Sequence, residues 1–284
     1  RGGQGTGAGC AGLRQRMRVG AGRAVGQGEP LFVDKRDPAT LFVAPGTGQV
    51  IAVNRGRRRA LQSVVIELDE SAAETTVFAP PASADPAAIR DLLLRSGLWT
   101  AFRTRPYDRV PESGSRPRSI FVTAIDTRPL AADPGVIIAE RFAEFERGLT
   151  AIADLCDRPV YRCTDTQGSV PAVTNDRINV VKFSGPHPAG LPGSHIHFLD
   201  PVAADRTAWH IGCQDVIAIG HLCLTGRLLT ERVVSVAGPG AVNPRLLRTR
   251  PGAGVPELTA GEVRTDGAYC LVSGSVLDGF EASG

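Results

Sequence analysis

Four of the five histidines in this 284-residue sequence fall in one stretch rich in glycine and proline, at positions 187, 195, 197 and 210. His195 and His197 form an H-x-H pair. Alternate residues of a β-strand share one face, so on a strand both imidazoles would reach a single metal ion. A hydrolytic metal centre needs further ligands, and Asp200, Asp205, His210 and Asp215 follow closely, but none sits in a second ligand motif. The expectation is therefore no metal, with the histidines hydrogen-bonded to backbone carbonyls. Just upstream, Pro186, Pro188 and Pro192 stiffen residues 185–193, while Gly185, Gly190 and Gly193 free their backbone. A shaped loop with little apolar area of its own reads as a docking surface or a pocket wall. On that reading, His187→Ala or Gly190→Val should leave the fold intact and impair function only.

A second candidate group is Trp99, Phe102, Arg103 and Arg105. Aromatic and guanidinium groups together can line a site for a planar headgroup or a partner surface. They also suit a helix end whose aromatics are core and whose arginines meet exposed carbonyls. The sequence contains no G-x-G-x-x-G after a strand, no P-loop and no G-x-S-x-G elbow. The six cysteines form no C-x-x-C, so a zinc ribbon or iron–sulfur cluster lacks its spacing, and buried reduced thiols are expected. A formal net charge of +3 gives no reason to expect nucleic acid, and the run Arg57, Arg58, Arg59 reads as a solvated turn.

These groups must be positioned by two kinds of structure. The 33 glycines and 21 prolines point to many turns, hence to a β-rich or α/β chain. Residues 17–70 show short apolar strands punctuated by Gly and Pro, as in G-x-x-V-x-x-G-x-x-L and A-P-x-x-G-x-V. Residues 71–84, small and polar with Pro80 and Pro81, read as a linker. Asp85-Pro86 and Asp133-Pro134 each place an N-cap before a first-turn proline, and Gly97 is a helix stop. Ile137, Ile138, Phe142 and Phe145 make one apolar stripe, and residues 149–155 a further helical piece. Residues 119–125, 159–163, 178–183 and 231–236 read as strands, and 195–198 as another. Residues 209–224 are either a buried helix or an irregular apolar segment. Strands alternating with helices over 85–250 predict a largely parallel, Rossmann-like sheet. Residues 251–284 begin a further region, and 1–16 read as disordered or as the edge of a fragment. No apolar run reaches the ~18–20 residues of a bilayer span.

Three resemblances add to this reading. The glycine rhythm of residues 17–70 is similar to that of biotinyl and lipoyl carrier domains, a barrel-sandwich fold, with Lys35 near the hairpin that would carry the modified lysine. The segment LLLRSGLWTAFRTRP at 92–106 lies where the flavoprotein of respiratory complex I holds its glycine-rich nucleotide loop, yet only Gly97 remains of the glycines. Flavin phosphates need several bare backbone N–H groups, so loss of flavin is expected. Most specifically, GPHPAGLPGSHIHFLDPV, then WH-x-x-x-QDVIAIG and VAGP-x-x-x-NPR, with LFVDK, LQSVVIE, SGLWTAFRTRP, RPLAADP and LTAGE, resemble the A subunit of the sodium-translocating NADH:quinone reductase. That resemblance implies a peripheral subunit on the cytoplasmic face of a bacterial inner membrane, lacking here parts of both termini. It implies docking on integral membrane subunits that carry flavin and iron–sulfur centres, with ubiquinone as the substrate of the complex. No cofactor and no catalytic residue is expected on this chain itself. His187, Gly190, His195, His197, Trp99, Arg103 and Arg105 are the candidates for quinone or partner contact. The rivals are a metal-dependent hydrolase built on His195 and His197 and a carrier module built on Lys35.

Overall fold

The computed structural model describes residues 3–6, 13–69, 71, 75–81, 84–168, 170–173, 175–203 and 205–282. The N-terminal part is a barrel-sandwich of two small sheets. Strands β1 (Gly3–Thr6), β2 (Gln15–Met17), β3 (Ala24–Val25), β4 (Pro30–Asp34), β5 (Leu41–Val43), β6 (Gly48–Arg55) and β7 (Leu61–Leu68) form it. One sheet has the order β1-β7-β6-β3 and the other β2-β4-β5. Val25, Leu31, Phe32, Val50, Val64 and Ile66 fill the space between them. Gly3–Thr6, within the residues read as disordered or as the edge of a fragment, is ordered here and pairs antiparallel with β7, whose edge offers free backbone groups.

The hairpin between β4 and β5 carries Lys35 exposed, but its tip is pinned. The Asp37 carboxylate accepts from the Ser113 N–H at 2.6 Å and from its hydroxyl at 2.7 Å, in a loop of the next domain. A swinging carrier arm needs a free tip, and this hairpin is tied to the next domain instead. The stretch read as a linker is held too: the Phe78 ring is buried, and its N–H bonds Gly226 O at 2.8 Å.

Helix α1 (Pro86–Arg95) starts as the sequence indicates, with the Asp85 carboxylate accepting from the N–H groups of Ala87 and Ala88. Ile89, Leu92 and Leu93 are its buried face. A 3-10 turn, Leu98–Ala101, leads into edge strand β8 (Arg103–Arg105). Strand β9 (Ile120–Ala124) precedes α2 (Pro134–Glu140) and α3 (Phe142–Leu155). The stripe expected to be one helix breaks at Arg141, whose φ of −125° and ψ of 40° leave the helical region; residues 149–155 belong to α3. Then follow β10 (Val160–Asp165), β11 (Ile178–Phe183), α4 (Pro192–Leu199), β12 (Ala208–Gly212) and α5 (Cys213–Thr225). The 209–224 segment is thus the end of a strand followed by a longer buried helix, since one buried apolar run can serve both.

The domain's sheet has the order β11-β10-β9-β12-β8, parallel except for β8. Helices α1, α3 and α5 cover one face, over Ile120, Val122, Trp209 and Ile211. Helices α3 and α5 touch backbone to backbone: a Cβ built at Gly220 would lie 1.7 Å from Glu144 O. The other face carries Phe121, Cys163 and Ala208 under Ile196 of α4. Beyond this domain lie the hairpin β13 (Arg232–Val236) with β14 (Arg245–Thr249), short helix α6 (Val255–Leu258) and the pair β15 (Val272–Ser273) and β16 (Phe280–Glu281). Among the described residues no helix is long and apolar enough to cross a membrane.

Candidate functional site

The H-x-H pair lies on α4, not on a strand. Pro192 opens the helix, and successive side chains turn by about 100°. His195 and His197 therefore diverge: the first is fully buried and the second exposed. Their shared-face premise fails, and among the described residues no three His, Cys, Asp or Glu side chains gather as a metal group. The Nε2 of His195 meets Ala189 O at 2.9 Å, and its ring packs 4.3 Å from that of Phe183. Its Nδ1 is buried without a partner. Burial drives its pKa down to about 4 against the opposing pull of Ala189 O, so the ring is neutral.

Residues 185–193 close against the end of β9. Thr127 Oγ1 accepts from the Gly190 N–H at 2.9 Å and lies 3.3 Å from His187 Nδ1. A Cβ built at Gly190 would come within 2.6 Å of Thr127 N and 3.0 Å of Asp126 C. The expectation that Gly190→Val spares the fold is therefore corrected: Gly190 is a buried close approach of two backbones. His187 is half-buried and bonded only at the rim.

Trp99 is also corrected. It is fully buried, and its indole N–H bonds Pro111 O at 2.8 Å. Its ring meets Trp209 edge-on at 5.3 Å, with Phe102 beside both. This cluster fixes the 3-10 turn and so aims the next residues. Because strand residues alternate, Phe102 goes into the core and Arg103 emerges on the other face.

There Arg103 lies opposite His210 in the β8–β12 register, and Arg105 opposite Ala208. Arg103 donates to Phe102 O at 3.2 Å and to Thr100 O. His210 Nε2 lies 3.2 Å from Asp108 Oδ1, and Arg105 is 3.9 Å from the same carboxylate. The hydrogen bond with His210, aided by Arg105 and Arg103 and opposed by burial, holds the Asp108 carboxyl below the usual range. Burial pushes His210 down, partly offset by Asp108. The sequence offers His210 only as a spare metal ligand. It gives no sign of Asp108, since a turn with positive φ at Tyr107 and Asp108 brings the carboxylate back.

Arg103 and His210 open onto a cavity of about 480 Å³ between the domains. The barrel-sandwich contributes Val43, Ala44 and Pro45, and the 3-10 turn Leu98 and Ala101. Asp215 near the start of α5 pairs there with Arg232. The volume is that of an ordinary small-molecule site, and its lining mixes apolar side chains with charged and polar ones, Arg103, His210, Asp215 and Arg232 among them. It lies beside the C-terminal end of β12, on the side of the antiparallel edge strand β8.

A barrel-sandwich hybrid domain joined to an α/β domain with a ligand-sized cavity between them defines the class of protein. The sequence profile of the NqrA second alpha/beta domain matches residues 84–228, that of the NqrA N-terminal barrel-sandwich hybrid domain residues 6–69, and that of the NQRA C-terminal domain residues 233–284. The chain belongs to the NqrA family. It is 48% identical over 277 residues to the A subunit of the Na(+)-translocating NADH-quinone reductase of Rhodopirellula baltica, covering 96% of this chain and 61% of that protein. The corresponding protein of Pseudomonas aeruginosa PAO1 is 50% identical over 278 residues, with 96% and 61% covered. The chain thus spans about three fifths of the length of the curated relatives it matches.

Proposed function

We propose that this chain acts as a peripheral subunit of a sodium-translocating NADH-quinone reductase, docking on membrane subunits at the cytoplasmic face and taking part in quinone interaction. The relatives carry that enzyme's name. The observation that supports the quinone part is the interdomain cavity: apolar walls from both domains, with Arg103 and His210 at hydrogen-bonding positions. A quinone ring is flat and apolar with two carbonyl acceptors, which matches apolar walls and a few donors. Arg105 supports the site from the same sheet face, and His187 and His197 are partner-contact candidates outside it. The chain holds no redox centre in this reading, because one glycine in residues 92–106 cannot expose the N–H groups a flavin phosphate needs. Flavin and iron–sulfur centres would belong to the partner subunits.

The test is purification from the native host. Integral membrane redox subunits should co-purify. In the assembled complex, Arg103→Ala should slow quinone reduction about tenfold or more, as loss of a charged hydrogen bond does, while NADH oxidation by an artificial acceptor is unchanged. Absence of membrane redox subunits, or equal loss of both activities, would overturn the reading.

A further inference from the structure

Resting on that quinone reading, we infer that His210, braced by Asp108, is the group that hydrogen-bonds a ring oxygen of the ligand in the interdomain cavity. The geometry is specific. His210 sits on β12, its Nε2 is engaged by Asp108 at 3.2 Å, and its ring lines the cavity. Its other nitrogen makes no hydrogen bond among the described residues, and the side chain keeps 14% of its surface exposed. A carboxylate behind an imidazole fixes the ring's orientation and its tautomer. The neutral ring donates Nε2–H to Asp108 and presents Nδ1 as an acceptor; the imidazolium presents Nδ1–H as a donor.

The two protonation states therefore select different ligands. A quinone offers only carbonyl acceptors and pairs with the imidazolium. A hydroquinone offers hydroxyl donors and pairs with the neutral ring. The charged and titratable groups facing His210 are Arg103 and Arg105 on β8, Asp108, His195 on α4, and the Asp215–Arg232 pair across the cavity. The arginines disfavour the imidazolium and Asp108 favours it, and burial lowers the balance below an ordinary histidine. Quinone affinity is then greatest on the acid side and falls as pH rises through the His210 transition. Hydroquinone affinity moves the other way.

Calorimetric titration of the protein with a short-chain ubiquinone, and anaerobically with its hydroquinone, at pH 5 and pH 8 tests this. The quinone should bind about tenfold more tightly at pH 5 and the hydroquinone more tightly at pH 8, the size of one charge-assisted hydrogen bond. His210→Gln should abolish both dependences. Asp108 lies in a loop with its side chain 54% exposed, so Asp108→Asn tests the brace without disturbing the core. It should keep binding but shrink the quinone preference at pH 5, because removing the carboxylate moves the transition to lower pH. Wild-type binding whose pH profile survives in His210→Gln would overturn the inference and leave the quinone reading standing. No binding at any pH would overturn the quinone reading itself, and this inference with it.

Discussion

On one face of the five-stranded sheet, Ile120, Val122, Trp209 and Ile211 lie under three helices. Arg162, buried with them, donates to Pro171 O. On the other face, among the described residues, α4 alone packs as a helix; it covers Phe121, Cys163 and Ala208 and stops short of β8. There Arg103 and His210 line a cavity whose opposite wall is the barrel-sandwich domain, and Arg105 and Asp108 stand beside them outside it. The first face carries stability and tolerates little change. The second exposes polar groups on a rigid support, the arrangement a binding site requires.

The contrast breaks most severely at Gly220. Any side chain there would meet the Glu144 carbonyl at 1.7 Å, driving α5 off α3. Gly220→Val should destabilise by about 4 kcal/mol or more, in the range reserved for core overpacking, and chemical denaturation would measure it. A variant as stable as wild type would show that the helix pair is looser than the packing indicates.

The next effect tests α4. His195 is buried and neutral, with its pKa lowered from 6.5 to about 4. Below pH 6.5 the unfolded chain binds a proton that the folded one refuses, so stability falls with pH until both forms are protonated near pH 4. That gap corresponds to roughly 3 kcal/mol. Denaturation midpoints between pH 7 and pH 4 should show this loss, and His195→Leu should flatten it. A wild-type curve flat over that window would mean the ring is solvated.

A smaller change is expected at Gly190. A valine there would press on the Asp126–Thr127 backbone, where only a surface loop has to give way. A loss of about 2 kcal/mol is expected from overpacking at such a site. A melting temperature equal to wild type would return the loop to the free docking surface its proline content indicates.

Much of the scaffold is legible in the sequence because local chemistry and final structure agree. Asp85 and Asp133 cap helices as their Asp-Pro pairs indicate, and Val160–Asp165 and Ile178–Phe183 form strands where apolar runs lie. The candidate site is legible only in part. H-x-H reads as alternation on a strand, but Pro192 starts a helix and separates the two imidazoles. Trp99, Phe102 and Arg103 read in sequence either as a site lining or as core aromatics beside outward arginines, and the alternation at Phe102 gives the second arrangement, aromatics inward and guanidinium out. The His210–Asp108 pair spans 102 residues and depends on two positive-φ residues, so no local pattern announces it. Cysteine's burial tendency holds for Cys156, Cys163, Cys213 and Cys223 and fails for Cys270, which is exposed; Cys10 lies outside the described residues.

On the proposed reading, ligand contact belongs to the interdomain cavity and not to the histidine-rich loop. Ala101 lines that cavity from the 3-10 turn and projects no functional group into it. Ala101→Phe should fill the space. Calorimetric titration of this variant with a short-chain ubiquinone at pH 5 should show binding weakened at least about tenfold, the scale of steric exclusion from a small site. Unfolding should stay cooperative, and His187→Ala titrated in parallel should bind as wild type. Unchanged quinone binding in Ala101→Phe, with loss of binding in His187→Ala, would contradict the claim and move the site to the loop.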